Sequence, residues 1–425
     1  MYENMFLNEY RDRISYVEEV VEVAWRRGSL EVNSASSTVK GVRIYRNGYW
    51  TIRSVQSGEA SWKVLEEEAE KLVARRHPTS TKGFLLRGEE CRGYSRLGEN
   101  TSLDDVLELV EYIVERIRGG EVVVLVENIR REIVSDYSSC SEEKTIYEVN
   151  VFVEEAVGST RSVGSAGIAF TGTVKDTWRI VNSLIEDSLR RSKAGLRARK
   201  LGVLETGRWT IILDYEASGA FFHEIAHLLE GDQPEHLGLN QRISTIGINL
   251  YDDPYYPWSP ATRTFDDEGV RSTRKPLVED GEVVGLLHTR ESAAKTVLEG
   301  LEASPGQARG LFHKPKAMHT TLIVGSGDWR FKELLEETRK AILVDGIVRA
   351  ELSGQTITII PETAWLVERE VKEPVRIRAI RFPLIRALTT IDAVTRTSRL
   401  RYSYEKGHIV AEIAPSIRLQ GIVEA

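Results

Sequence analysis

The chain has 425 residues, of which 41% are apolar and 28% charged, and 64 acidic against 57 basic side chains give a formal net charge of -7. This is the composition of a folded globular protein, long enough for two or three domains and not that of a disordered chain. The acidic balance argues against a nucleic-acid or anionic-membrane partner, and no run reaches the roughly 18 apolar residues of a membrane span. Cys91 and Cys140 are too few for a disulfide framework and read as inert thiols in a reducing compartment. The amino terminus MYENMFLNEYRDR has no apolar core of a signal peptide, so a cytoplasmic protein is expected.

In chain order, residues 4–27 place Leu7, Tyr10, Ile14, Val17, Val21 and Ala24 at three- and four-residue spacing, which predicts an amphipathic helix. Residues 40–55 predict a hairpin turning at Asn47-Gly48. Helices follow over 61–76, stopped by Pro78, and from Ser102 to Gly119-Gly120. Strands are predicted over 121–134 and 146–156, a Gly/Ser-rich turn over 157–167, and a helix over 176–191. The basic stretch 190–200 reads as a boundary. Beyond it come short strands (201–214, 283–288, 320–324, 347–352, 355–360, 364–370 and 375–381), with helices near 219–230 and 330–342. The fold class expected is α+β: a mixed α/β domain over 1–195, then a β-rich, barrel-like antiparallel domain over 196–425. The long loop 231–275 is a candidate lid or substrate wall.

One segment carries chemistry. In ASGAFFHEIAHLLEGD (217–232), His223 and His227 project from one helical face a turn apart, a spacing that lets two imidazoles reach one Zn²⁺. Glu224 follows the first histidine and is placed to act as general base on a water while Phe222, Ile225, Ala226 and Leu229 form the apolar side. Gly231 reads as the helix stop. A catalytic zinc takes three protein ligands, and the third is not evident from spacing. Glu230 is expected to orient an imidazole or cap the helix end. Asp232 and His236 lie just past the helix, and His288, His313, His319 and His408 are more distant candidates.

The same segment resembles the TldD branch of the TldD/PmbA family, cytoplasmic proteins associated with proteolysis and peptide-antibiotic maturation. LLHTRESAAK (286–295), GIVRAELSGQTITIIPETAWLVE (346–368) and LIRALTTIDAVTRT (384–397) extend the resemblance. It implies a zinc-dependent metallopeptidase acting on unfolded or short peptides, working as a homodimer or as a heterodimer with a motif-less paralogue. The family spaces its histidines HExxxH, one residue wider than here. Its third ligand is a cysteine in a late Cys-Gly-Lys-x-Gly-Gln stretch, where this chain has Ser403-Tyr404-Glu405-Lys406-Gly407-His408. Three arrangements stay open: two histidines with a carboxylate, His408 in substitution for the cysteine, or binding too weak to work. The alternative from a different class is a non-catalytic peptide-binding or partner subunit.

Among lesser features, Arg290 and Glu291 read first as a strand-end ion pair, with a groove-facing role on an oxyanion or substrate terminus as the alternative. Tyr251, Tyr255 and Tyr256 read equally as channel wall or loop packing; Asp252, Asp253, Asp266 and Asp267 form acidic pairs of the kind that bind Ca²⁺, but without its loop spacing they read as solvated acids.

Overall fold

Residues 4–27, predicted as a helix, instead form the strand Glu9–Arg26 in the computed structural model, which describes residues 5–56, 60–75, 83–368 and 371–424. Residue 4 and Pro78, the predicted helix stop, lie outside the described residues. The apolar spacing fits a helix, but Ile14, Val17, Val20, Val21 and Val23 are β-branched and suit a pleated surface better. The neighbours decide it: this strand pairs antiparallel with Ser29–Arg46 on one side and Gly120–Ser135 on the other. Two-residue turns close both hairpins, with φ of 52° and 82° at Arg27-Gly28 and 56° and 81° at the predicted Asn47-Gly48.

Among the described residues these strands lie in a seven-stranded sheet ordered Tyr49–Gln56, Ser29–Arg46, Glu9–Arg26, Gly120–Ser135, Ser139–Val157 and Arg92–Leu97, with Thr160–Thr171 also paired to Ser139–Val157. The helices Trp62–Ala74 and Leu103–Val114 start at Ser61 and Ser102, whose hydroxyls accept from the backbone N–H of Val64 and Asp105. Residues 157–167 are not a turn region. They fall mostly in the strand Thr160–Thr171, and their small residues admit the helix Val181–Arg197: a Cβ on Gly164 would lie 2.2 Å from the Ser188 carbonyl oxygen, and one on Gly195 2.1 Å from Ser162 Oγ.

That helix runs through most of the basic stretch read as a boundary. The Arg191 side chain is 1% exposed and reaches Asp345 at 3.0 Å, Glu216 at 2.7 Å and Glu362 at 3.2 Å. The stretch therefore ties the first sheet's covering helix to the second sheet.

Twelve strands make up that second sheet among the described residues. Part of it closes on itself: Lys340–Ser353 pairs with Thr356–Glu368 and with Gly207–Leu213, Gly207–Leu213 with His408–Glu424, and Ala379–Pro383 links His408–Glu424 back to Thr356–Glu368. Most pairings are antiparallel, but Gly207–Leu213 runs parallel to Lys340–Ser353, and Thr321–Val324 parallel to His408–Glu424. The helix expected over 330–342 ends at Glu337, because Ile342 and Val344 are taken into the sheet opposite Ile211 and Leu213. The fold is α+β, with the histidine-bearing helix Tyr215–Ala226 buried in the second sheet's core beside Ile342, Val344 and Leu419.

Two expectations fail, of solvated aspartates and of free thiols. Asp252, Asp266 and Asp267 are at most 2% exposed, because much of the segment after Asp252 is wedged against the first sheet: Arg131 of that sheet pairs with Asp267 at 2.8 Å. Cys91 and Cys140 are joined as a disulfide, their Cα atoms 5.8 Å apart. Arg92–Leu97 runs parallel beside Ser139–Val157 with Arg92 opposite Ser139, a tertiary pairing that a cysteine count does not reveal.

Candidate metal centre

Asp214 fixes the start of the helix: its carboxylate accepts from Ala217 N at 2.8 Å and from Gly346 N at 3.0 Å. The helix runs to Ala226 and tightens into a 3-10 turn at His227–Leu229. Every residue from Ala217 to Ala226 is buried, so the helix is enclosed on its chemical side as well as its apolar one. Gly219 permits this, since a Cβ there would already stand 3.3 Å from the side chains of Arg401 and Glu412.

The ring centroids of His223 and His227 are 4.9 Å apart. Each Nδ1 meets a carboxylate: His223 to Glu412 Oε1 at 2.7 Å, and His227 to Glu230 Oε1 at 2.8 Å. A carboxylate only accepts, so Nδ1 carries the proton in both rings and each Nε2 keeps its lone pair for an ion. Glu230 thus orients an imidazole, one of its two expected roles. Burial lowers the His227 imidazole, but the bond to Glu230 and the charges of Glu230, Glu224 and Glu405 outweigh it and raise the group above its ordinary value.

The third group beside these rings is Glu405. Ligand atoms of His223, His227 and Glu405 all lie within 4.8 Å of one another, and Glu405 Oε2 is 4.0 Å from His223 Nε2. Zinc bonds of about 2.1 Å set tetrahedral donors about 3.4 Å apart, so side-chain adjustments of about 1 Å bring this donor set to bonding distance. Burial raises the Glu405 carboxyl, while Lys406, whose Nζ lies 2.8 Å away, and the two imidazoles pull it below the usual range.

Ser403 alternates onto the same strand face as Glu405, and its hydroxyl accepts from Arg401 Nη1 at 3.3 Å. His408 faces Glu405 across the hairpin, yet its ring stands 5.8 Å from His313 and outside the set of converging donors. Burial pushes its imidazole down to about 4, against the attraction of Asp267. His288 packs on Gly231, where a Cβ would meet the ring at 2.3 Å, so that glycine admits a side chain and its φ is not in the left-handed region. Asp232 accepts from Ala317 N, and the His236 ring bonds the Leu237 carbonyl. His319 is wholly buried against Glu412.

Glu224 accepts from Leu352 N at 2.7 Å and lines a cleft of about 480 Å³ with His227, Glu405, Lys406 and Ala350. Gln233, Pro234 and Glu235 form another part of its wall, so the beginning of the 231–275 loop borders the site. A larger apolar cavity of about 720 Å³, lined by Phe170, Tyr215, Tyr256 and Trp258, contains none of these donors, and it is donor chemistry that locates the site. Arg290 turns away from the cleft to pair with Glu90 at 2.6 Å, and Glu291 pairs with Lys314. Sequence reasoning missed Glu405 and Glu412. Two-residue alternation from Ser403 offered a pointer to Glu405. Glu412 is recognisable only from the strand pairing that sets it opposite Arg401.

Residues 206–423 match a family model described as the PmbA/TldA metallopeptidase C-terminal domain. A metalloprotease of Methanocaldococcus jannaschii is 24% identical over 94% of this chain and 92% of its own length. The metalloprotease PmbA of Escherichia coli is 27% identical over 44% of this chain and 40% of its own. In fold, the chain is similar to TldE from Thermococcus kodakarensis, with a TM-score of 0.78 at 15% identity, covering 98% of this chain and 97% of that one. With a family domain spanning about half its length, the chain belongs to the PmbA/TldD family.

Proposed function

We propose that the chain is a zinc-dependent peptidase that hydrolyses short or unfolded peptides, with Glu224 as general base. One observation carries this reading: two imidazoles, each held through Nδ1 by a buried carboxylate, converge with Glu405 while Glu224 stands beside them on the cleft wall. His223 Nε2, His227 Nε2 and Glu405 would hold the metal, a nitrogen and oxygen set suited to zinc. Bound there, zinc would polarise a peptide carbonyl and lower the pKa of water towards neutrality. Glu224 Oε2 is fixed by the Leu352 N–H, and its carboxylate takes the proton of the attacking water and passes it to the leaving amine. Ala350 and Leu352, at the end of the strand Lys340–Ser353, border the space a peptide would occupy. The proposal includes a cytoplasmic homodimer, or a heterodimer with a motif-less paralogue.

Glu224→Gln tests the mechanism. Hydrolysis of a denatured protein substrate should fall by about 10²–10⁴-fold, the usual share of a general base, while zinc content and melting temperature stay at the wild-type level. Peptidase activity retained in that variant would refute the role. The Lys406 ammonium beside Glu405 favours the second reading, a non-catalytic partner subunit, because it competes with a metal for that carboxylate. Near-zero zinc in protein purified without chelator decides for it.

A further inference from the structure

We propose that Glu412 is a positioning residue for the metal: it fixes the tautomer and aim of His223, and Arg401 and His319 hold Glu412 in turn. The inference rests on the metallopeptidase reading of the same site.

Glu412 is completely buried and both of its oxygens are engaged. Oε1 accepts from His223 Nδ1 at 2.7 Å and from His319 Nε2 at 3.3 Å, and Oε2 from Arg401 Nη1 at 2.5 Å. A carboxylate placed this deep is costly unless fully partnered. Here the partners come from three separate segments: the helix, the strand Ala393–Glu405 and the loop before Thr321–Val324. Strand pairing sets Arg401 directly opposite Glu412, and the bare Cα of Gly219 lets the helix press against both. His319 Nδ1 has no partner, so the ring's single proton sits on Nε2, where it donates to Glu412.

This arrangement makes the carboxylate's charge indispensable. A glutamine at 412 has one accepting and one donating end. Arg401 has only donors, so it claims the accepting end and turns the amide NH₂ towards the two imidazoles. His223 Nδ1 must then accept, and its proton moves to Nε2, the atom required by the metal. Glu412→Gln therefore disables a ligand it never replaces.

Zinc binding to the metal-free full-length protein provides the test, read by chelator competition at fixed pH. Wild type should bind one zinc per chain, and Glu412→Gln should bind it roughly 10–100-fold more weakly with an unchanged circular dichroism spectrum. An affinity within twofold of wild type overturns the inference and leaves the metallopeptidase reading standing. No zinc uptake by wild type overturns both. Should the variant fail to fold, ¹⁵N-histidine NMR of the metal-free wild type decides. A protonated Nδ1 and bare Nε2 at His223 support the positioning role, and the opposite tautomer overturns it.

Discussion

Glu405 stands two positions beyond Ser403 on the same strand face, so a carboxylate here reaches towards the histidine pair from a site next to the one where the resemblance implies a cysteine. Glu405→Gln keeps the side chain's shape and removes its charge. We expect it to weaken zinc binding by at least the roughly 10–100-fold that loss of an outer partner costs, whereas Ser403→Ala and His408→Ala leave affinity at the wild-type value. Chelator competition on the three variants checks this, and a loss in Ser403→Ala or His408→Ala in place of Glu405→Gln would reassign the ligand. The contrast shows what a sequence exposes. The relation between His223, Glu224 and His227 is local geometry, complete within five residues of a helix. Glu405 and Glu412 reach the same point from a hairpin far along the chain, brought there by the pairing of His408–Glu424 with Gly207–Leu213, which no short window contains.

Among the elements, those predicted well carry their own terminators: Ser61 and Ser102 start helices, and Asn47-Gly48 turns a hairpin. Those misread had a composition serving two ends. Gly164 looks like a turn residue, and it is small, as Gly195 is on the facing helix, because a helix lies against a strand there. Residues 190–200 are basic with little apolar periodicity and look like a boundary, yet Arg191 is enclosed by Asp345, Glu216 and Glu362. Removing that guanidinium leaves carboxylates facing one another in a buried site, where Asp214 is already raised to about 7 by burial and by Glu216 and Asp345. Arg191→Met should therefore destabilise the fold by about 3–5 kcal/mol, as breaking a buried pair does. Arg190, whose side chain is 44% exposed, should cost about 1 kcal/mol or less on the same change, as expected of a partly solvated pair. Urea unfolding of the two variants side by side checks it, and equal losses would show that the clamp does not distinguish them.

At the scale of the molecule, the two sheets are joined through buried charge as well as apolar packing. Lys144, on the first sheet's strand Ser139–Val157, donates to the Thr262 carbonyl at 2.9 Å, and Glu142 on the same strand accepts from Thr264 N at 2.7 Å. Burial is the main cause that brings the Lys144 ammonium down to about 7, with Arg263, Arg131 and Arg309 adding to it and Glu142 opposing. Below about 7 the group is charged in both native and unfolded chains, and the native state carries the full cost of enclosing it. Between about 7 and 10.5 the native chain has released the proton while the unfolded chain still holds it, so this group's contribution to stability rises with pH across that window. Lys144→Met removes the titration, and Glu142 keeps Arg131 at 2.9 Å as its partner. The variant should be more stable than wild type near pH 6.5, by a margin that shrinks at up to about 1.4 kcal/mol per pH unit as the buffer moves from 7 towards 10. Because other titrating groups are common to both proteins, the difference between their urea-unfolding free energies isolates Lys144. A margin constant from pH 6.5 to 9.5 would mean that the lysine has an ordinary pKa, and that the seam between the sheets admits enough water to solvate it.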